Sequence, residues 1–107
     1  MTDRKEQIQN TIDKVQEVVD LFYQQNDKDA LGKFVVTLED MTSAIDNLAA
    51  YKAENPGFEM DEKKICNILN DAMGALQSDD KVLMADILQY DFVEYISCLL
   101  YTSPSPR

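Results

Sequence analysis

The chain reads as an all-α protein, an antiparallel up-down four-helix bundle, on three observations. Apolar residues recur at alternating spacings of three and four through most of its length. Turn-forming residues break that rhythm three times, and hydrophobic residues make up 45% of the 107. Alternating spacing keeps one apolar stripe on one face of a 3.6-residue helix. The hydrophobic content exceeds that of disordered chains, and the length is that of one small domain.

The first stripe is Ile8, Ile12, Val15, Val19 and Phe22, which predicts a helix over about 3–25. Asp3 followed by Glu6 gives a D-x-x-E capping box, in which a side-chain oxygen satisfies an orphan N–H at the helix start. Asn26-Asp27-Lys28-Asp29 then supplies turn residues and an N-cap in Asp27 or Asp29. The second stripe, Leu31, Phe34, Leu38, Met41, Ile45 and Leu48, is widened by Val35 and Ala49 and predicts a helix over 28–54. Val35, Val36 and Thr37 are β-branched, but the sustained repeat outweighs that local preference. Asn55-Pro56-Gly57 ends the helix, because proline disfavours helical geometry at the residue before it, and residues 54–60 should form the longest loop.

The third stripe is Ile65, Leu69, Ala72 and Leu76, flanked by Ile68 and Met73, over 61–77. Asp61 and Glu62 suit the positive end of its dipole. Gly74 costs this helix about 1 kcal/mol relative to alanine and is a candidate point of close helix approach. Ser78-Asp79-Asp80 reads as a turn plus N-cap, and so short a connection makes helices three and four antiparallel neighbours.

Helix four, over 79–97, is apolar around more of its circumference than a surface helix requires. At about 100° per residue, Met84, Ala85, Leu88, Phe92, Tyr95 and Ile96 share one face, the expected core face. Leu83, Ile87 and Tyr90 project elsewhere, interleaved with Asp86, Asp91 and Glu94. Three explanations stand side by side: a following helix that covers this second face, a partner or self-association surface, or apolar residues simply left in water. Of the aromatic residues, Phe22, Phe34, Phe92 and Tyr95 are expected inside, and Tyr23 and Tyr51 at the surface.

Composition and motifs exclude several functions. Asp and Glu number 20 against 10 for Lys and Arg, a net charge of −10, which phosphate backbones and anionic membranes repel. The chain has no His, so histidine relays, histidine phosphotransfer and the Glu-x-x-His di-metal site of helical bundles are all excluded. Asp79-Asp80 and Asp61-Glu62 do not sit in a calcium-binding loop pattern, and no G-x-x-x-x-G-K-[ST] loop occurs. No nucleophile stands beside a base. Catalytic, cofactor and metal residues are accordingly expected to be absent. Nothing resembles a signal peptide or a membrane span, which sets the expected compartment as the cytoplasm. Cys66 lies in an apolar-rich helical run and reads as a small buried residue.

Residues 98–107, CLLYTSPSPR, depart from everything before them: they hold two of the three prolines and no acid. Back-translated, the string resembles a transposase sequencing adaptor over all ten residues. It is expected to be a non-native tail on a helical domain of residues 1–97, truncated in or after helix four.

The stretch from Ala75 to Asp91 contains A-L-x(5)-V-L-x-A-D-I-L-x-Y-[DE] and resembles an uncharacterised family of small helical proteins from Firmicutes, encoded beside motility or surface-glycan genes. In size, charge and form the chain is also similar to flagellar and type III export chaperones, which hold an amphipathic segment in an apolar groove. None of the flagellin chaperone's motifs aligns, so no site residue follows from that likeness. Together these readings give a non-enzymatic, cytoplasmic protein-protein interaction module, possessing a partner surface of Leu83, Ile87 and Tyr90 fringed by Asp86 and Glu94. Its expected occupant is an amphipathic helix or a second copy. The alternative is the N-terminal part of a longer helical domain whose activity lies downstream. Resequencing the gene from its source DNA checks the tail: codons for 98–107 should match the adaptor, and different codons overturn that reading.

Overall fold

The computed structural model describes residues 2–101, with side chains from Arg4 onward. Residues 102–107 of the adaptor-like string, and the side chain of Asp3 with its expected capping box, lie outside the described residues. Among the described residues the chain is helix and connecting turns with no strand. Helix α1 spans Thr2–Tyr23, α2 Asp27–Glu54 and α3 Glu62–Gln77. The last rod, α4, covers residues 81–101. It is α-helical over Lys81–Asp86, π-helical over Ile87–Val93 and α-helical again over Glu94–Tyr101. The all-α four-helix architecture is therefore as the spacing predicts.

Both short turns are built alike. After α1, Gln25 takes φ 62°, and the Asn26 N–H donates back to the Leu21 carbonyl at 2.9 Å. After α3, Asp79 takes φ 60°, and the Asp80 N–H donates to the Ala75 carbonyl at 2.9 Å. A left-handed residue with this six-to-one hydrogen bond closes a helix and satisfies its last carbonyls. A side chain larger than glycine in that conformation costs about 1–2 kcal/mol, which the closing hydrogen bonds offset. The capping of the next helix differs from expectation at the first turn. Asn26, not Asp27 or Asp29, is the N-cap of α2, and its side chain makes no cap hydrogen bond. At α4 the Asp80 carboxylate accepts from the Leu83 N–H at 3.1 Å, and at α3 Asp61 accepts from the Lys64 N–H at 3.1 Å. Each such cap is worth about 1 kcal/mol.

The loop between α2 and α3 is part of the core. Phe58 and Met60 are both buried, Phe58 meets the Tyr51 ring edge-on at 5.0 Å, and Lys52 Nζ donates to the Met60 carbonyl at 2.9 Å. Tyr51 is thereby half-buried rather than exposed.

Helix α1 is the shared wall. It packs along α2 on one flank and along α4 on the other, while α3 packs on α4. Its Ile8, Ile12, Val15, Val18, Val19 and Phe22 are all buried, a stripe broad enough to serve two neighbours. Where α1 meets α2, Thr11 is buried and donates to the Gln7 and Asp40 carbonyls at 2.9 and 3.2 Å. Gln7 links the same level to Asn47, whose Nδ2 donates to Gln7 Oε1 at 2.8 Å. Pairing of α2 with α3 is looser: Lys52 reaches Glu62 at 3.4 Å, and Leu31, Leu38, Ile45, Leu69 and Leu76 stay half-buried. Gly74 is no point of close approach, since a Cβ there would meet open space.

The π turn explains the last buried face. Phe92 and Val93 are consecutive and both buried, although at constant α-helical pitch Val93 would stand about 100° beyond Phe92, away from the centre of the face that Met84 and Leu88 set. A π turn holds one extra residue and resets the register. It keeps Leu88, Phe92, Val93 and Ile96 inside and leaves Tyr95 half-buried, its hydroxyl accepting the Asp61 N–H at 2.9 Å. Deleting Gln89 should convert this turn to α-helix with Phe92, Val93 and Ile96 still facing inward, and shift the melting temperature by no more than about 5 °C. Deleting Asn70 from the regular α3 should instead abolish the cooperative melt followed by circular dichroism.

Candidate interaction face

The five residues singled out on helix four separate into three directions. Leu83, Tyr90 and Glu94 line the outward side of α4, where Leu83 is 46% and Tyr90 65% exposed. Ile87 is half-buried and packs against the core, so it is at most the floor of this surface. Asp86 turns toward α1, and its carboxylate accepts a 2.5 Å hydrogen bond from the Tyr23 hydroxyl. That bond fixes the ring of Tyr23, itself 43% exposed, beside α4 and near Tyr90. The structure therefore brings Tyr23, expected from its spacing only as an exposed aromatic, to the predicted residues.

Tyr23 is held protonated. Its hydrogen bond to Asp86, then partial burial, then the Asp86 charge push its hydroxyl up to about 12 from the ordinary 10. The phenol is the donor in that bond, so ionising it loses the donor and sets two negative charges together. Because the folded pKa lies above the unfolded one, the stabilisation is fully present below pH 10 and lost as pH rises toward about 12.

Around these residues the charge is one-sided. Asp13 and Asp20 are exposed on α1 at spacings of seven and three that lead to Tyr23, and Asp86 and Glu94 lie on α4. Among the described residues, none of these four carboxylates has an ion-pair partner. Several of the chain's cations are engaged elsewhere. Lys14 pairs with Asp40 at 2.7 Å, Lys33 with Glu17 at 2.7 Å and Arg4 with Glu54 at 3.1 Å, all between α1 and α2. Lys81, at the head of α4, pairs with Asp79 and reaches Asp27 at 3.8 Å. No Lys or Arg follows until Arg107.

Other features carry less. A cavity of about 580 Å³ opens at the far end of the bundle, between Arg4, Ile8, Leu48 and Phe58, but Leu99, Leu100 and Tyr101 of the adaptor-like string form one wall. Cys66 is exposed rather than buried. No group of metal-binding side chains occurs among the described residues, and no helix there is long and apolar enough to cross a membrane.

Fold and surface together define the class: a small all-α bundle with an acidic, tyrosine-bearing side and a side of internally paired charges. Within that class the chain belongs to the family described as a domain of unknown function, DUF8042, which matches residues 1–99 and so takes in the first two residues of the adaptor-like string. No curated protein and no solved structure is significantly similar to it.

Titrating tyrosinate absorbance should resolve one tyrosine that ionises near pH 12. Tyr23→Phe should remove it, and Asp86→Asn should return it toward the ordinary value of about 10. A titration unchanged by either substitution would break the assignment.

Proposed function

We propose that the protein is a non-catalytic helical binding module whose working surface is the outward side of α4. The observation that carries this reading is the exposure of Leu83 and Tyr90, joined by Val82 at 58%, on a helix whose opposite face already fills the core. A helix that has satisfied its core and still presents large apolar side chains at helical spacing has area to give to a partner. Aromatic residues such as Tyr90 and Tyr23 suit that task, since each offers contact area and a polar edge at low conformational cost. The surface then consists of Leu83 and Tyr90, with Ile87 beneath them and Asp86 and Glu94 at the rim, and its occupant is an amphipathic segment of a protein. The proposal includes the setting implied by the likeness of Ala75–Asp91 to small helical proteins of Firmicutes: an accessory or chaperone-like role beside motility or export machinery in the bacterial cytoplasm.

A second reading is favoured by the adaptor-like composition of residues 98–107: a helix encoded after residue 97 in the intact gene covers the same stripe from within the chain. One experiment separates the two. A photo-crosslinking amino acid placed at Tyr90 of the intact gene product, in its own cells, should give an adduct with another polypeptide. The same probe at Val36, exposed at 68% on α2, should give none. A crosslink from position 90 to a later segment of the same chain supports the second reading, and equal adducts from both positions defeat the first.

A further inference from the structure

The geometry points to a lysine- or arginine-rich amphipathic helix as the occupant of this face. Its apolar ridge would rest on Leu83 and Tyr90, and its cations would stand over Asp13, Asp20, Asp86 and Glu94. This inference rests on the binding-module reading above and adds the chemistry of the partner.

Three observations carry it. The first is the distribution of charge: Arg4, Lys14 and Lys33 pair with carboxylates across the α1–α2 side, Lys81 pairs with Asp79 and Asp27, and these four carboxylates have no ion-pair partner among the described residues. Helix α1 shows the division most plainly. Lys14 turns to Asp40 of α2, while its neighbour Asp13 is exposed and accepts only from Gln9 at 3.0 Å. A face of one sign attracts a partner of the other and repels its own kind. A second copy of this chain would bring the same carboxylates against themselves, so the charge that favours a basic helix disfavours self-association.

The second observation is length. From Asp13 to Tyr23 is ten residues of α1, or about 15 Å of helix axis, which matches about three turns of a partner helix laid alongside. Acids recur along that span on both α1 and α4, so cations at successive turns each meet a carboxylate. The third is the pairing already present on the other flank of α4. There Lys64 of α3 places its ammonium 4.6 Å from the centre of the Tyr95 ring. Tyr90, five residues earlier on the same rod and 65% exposed, presents its ring to an incoming cation.

The test uses the full chain and three synthetic peptides of about five turns, each with leucines on one face and either Lys, Gln or Glu on the other. Amide chemical shifts and calorimetry are the readouts. The Lys peptide should shift amides at Asp13, Asp20, Leu83, Tyr90 and Glu94, bind at least about ten-fold more tightly than the Gln peptide, and weaken steeply with salt. Leu83→Ser with Tyr90→Ser, which leaves every charge in place, should weaken it by about ten-fold or more, as should Asp20→Asn with Glu94→Gln. A Gln peptide that binds as tightly at the same residues overturns the cationic partner and leaves the binding module standing. Lys-peptide shifts scattered over acids elsewhere and indifferent to Leu83→Ser with Tyr90→Ser overturn it as non-specific attraction. Concentration-dependent dimerisation through this face overturns it in favour of a second copy. If no peptide touches the face and both variants are silent, both readings fall.

Discussion

Everything in this bundle leans on the two-sided burial of α1. A helix in a small bundle ordinarily buries one stripe, but α1 must satisfy α2 and α4 at once, and its buried set widens accordingly from Ile8 and Ile12 to the adjacent pair Val18 and Val19. Burying each such side chain contributes about 1.5–3 kcal/mol, so this one helix accounts for a large share of the driving force. Polar specificity is added at the same wall. Thr11 is buried, its hydroxyl donates to the Gln7 and Asp40 carbonyls and accepts from Gln7 Nε2, and a register slip of α1 against α2 would break the contacts that Thr11 and Gln7 both make to the Asp40 carbonyl.

With α1 fixed, α4 must present a long apolar face to it and to α3 together. Constant α-helical pitch would carry Val93 to the edge of the face set by Leu88, Phe92 and Ile96, and the π turn over Ile87–Val93 draws it inward by holding one more residue. The same distortion shapes the outside of the rod. Tyr90 lies in the middle of the π turn, opposite the buried residues, so the packing requirement that creates the turn also sets where its most exposed aromatic projects. Core geometry and proposed binding surface are thus two sides of one local irregularity.

How far the sequence could be read varies with the kind of interaction. Helix existence and core faces were legible because they follow from periodicity: Ile8, Ile12, Val15, Phe34, Met41, Ile65, Leu88 and Phe92 are buried where spacing puts them. Val93 was not legible, since a wheel of constant pitch cannot show a change of pitch. The turn closures at Gln25 and Asp79 were hidden because the left-handed position is held by residues other than glycine, the usual marker. Phe58 and Met60 sat in a segment marked as loop by Pro56 and Gly57, and only the tertiary contact with Tyr51 and Lys52 draws them in. Of the surface, Leu83, Tyr90 and Glu94 were readable from helix four alone. The contribution of α1 through Tyr23, Asp13 and Asp20 required knowing which helix lies beside α4.

The looseness between α2 and α3 gives the molecule an order in which it can come apart. To leave the fold, α1 must break two interfaces and α4 must part from both α1 and α3, whereas α2 is held chiefly by α1. Its leucines toward α3 are only half-buried, so they lose less when that side opens. Partial opening events should therefore begin with α2 swinging from the remaining three helices, and amide hydrogens along it should exchange with solvent through a smaller excursion than those of α1 and α4. The acidic face between α1 and α4 lies on the part of the fold that stays closed longest, and the surface proposed for partners is carried by the molecule's most persistent substructure.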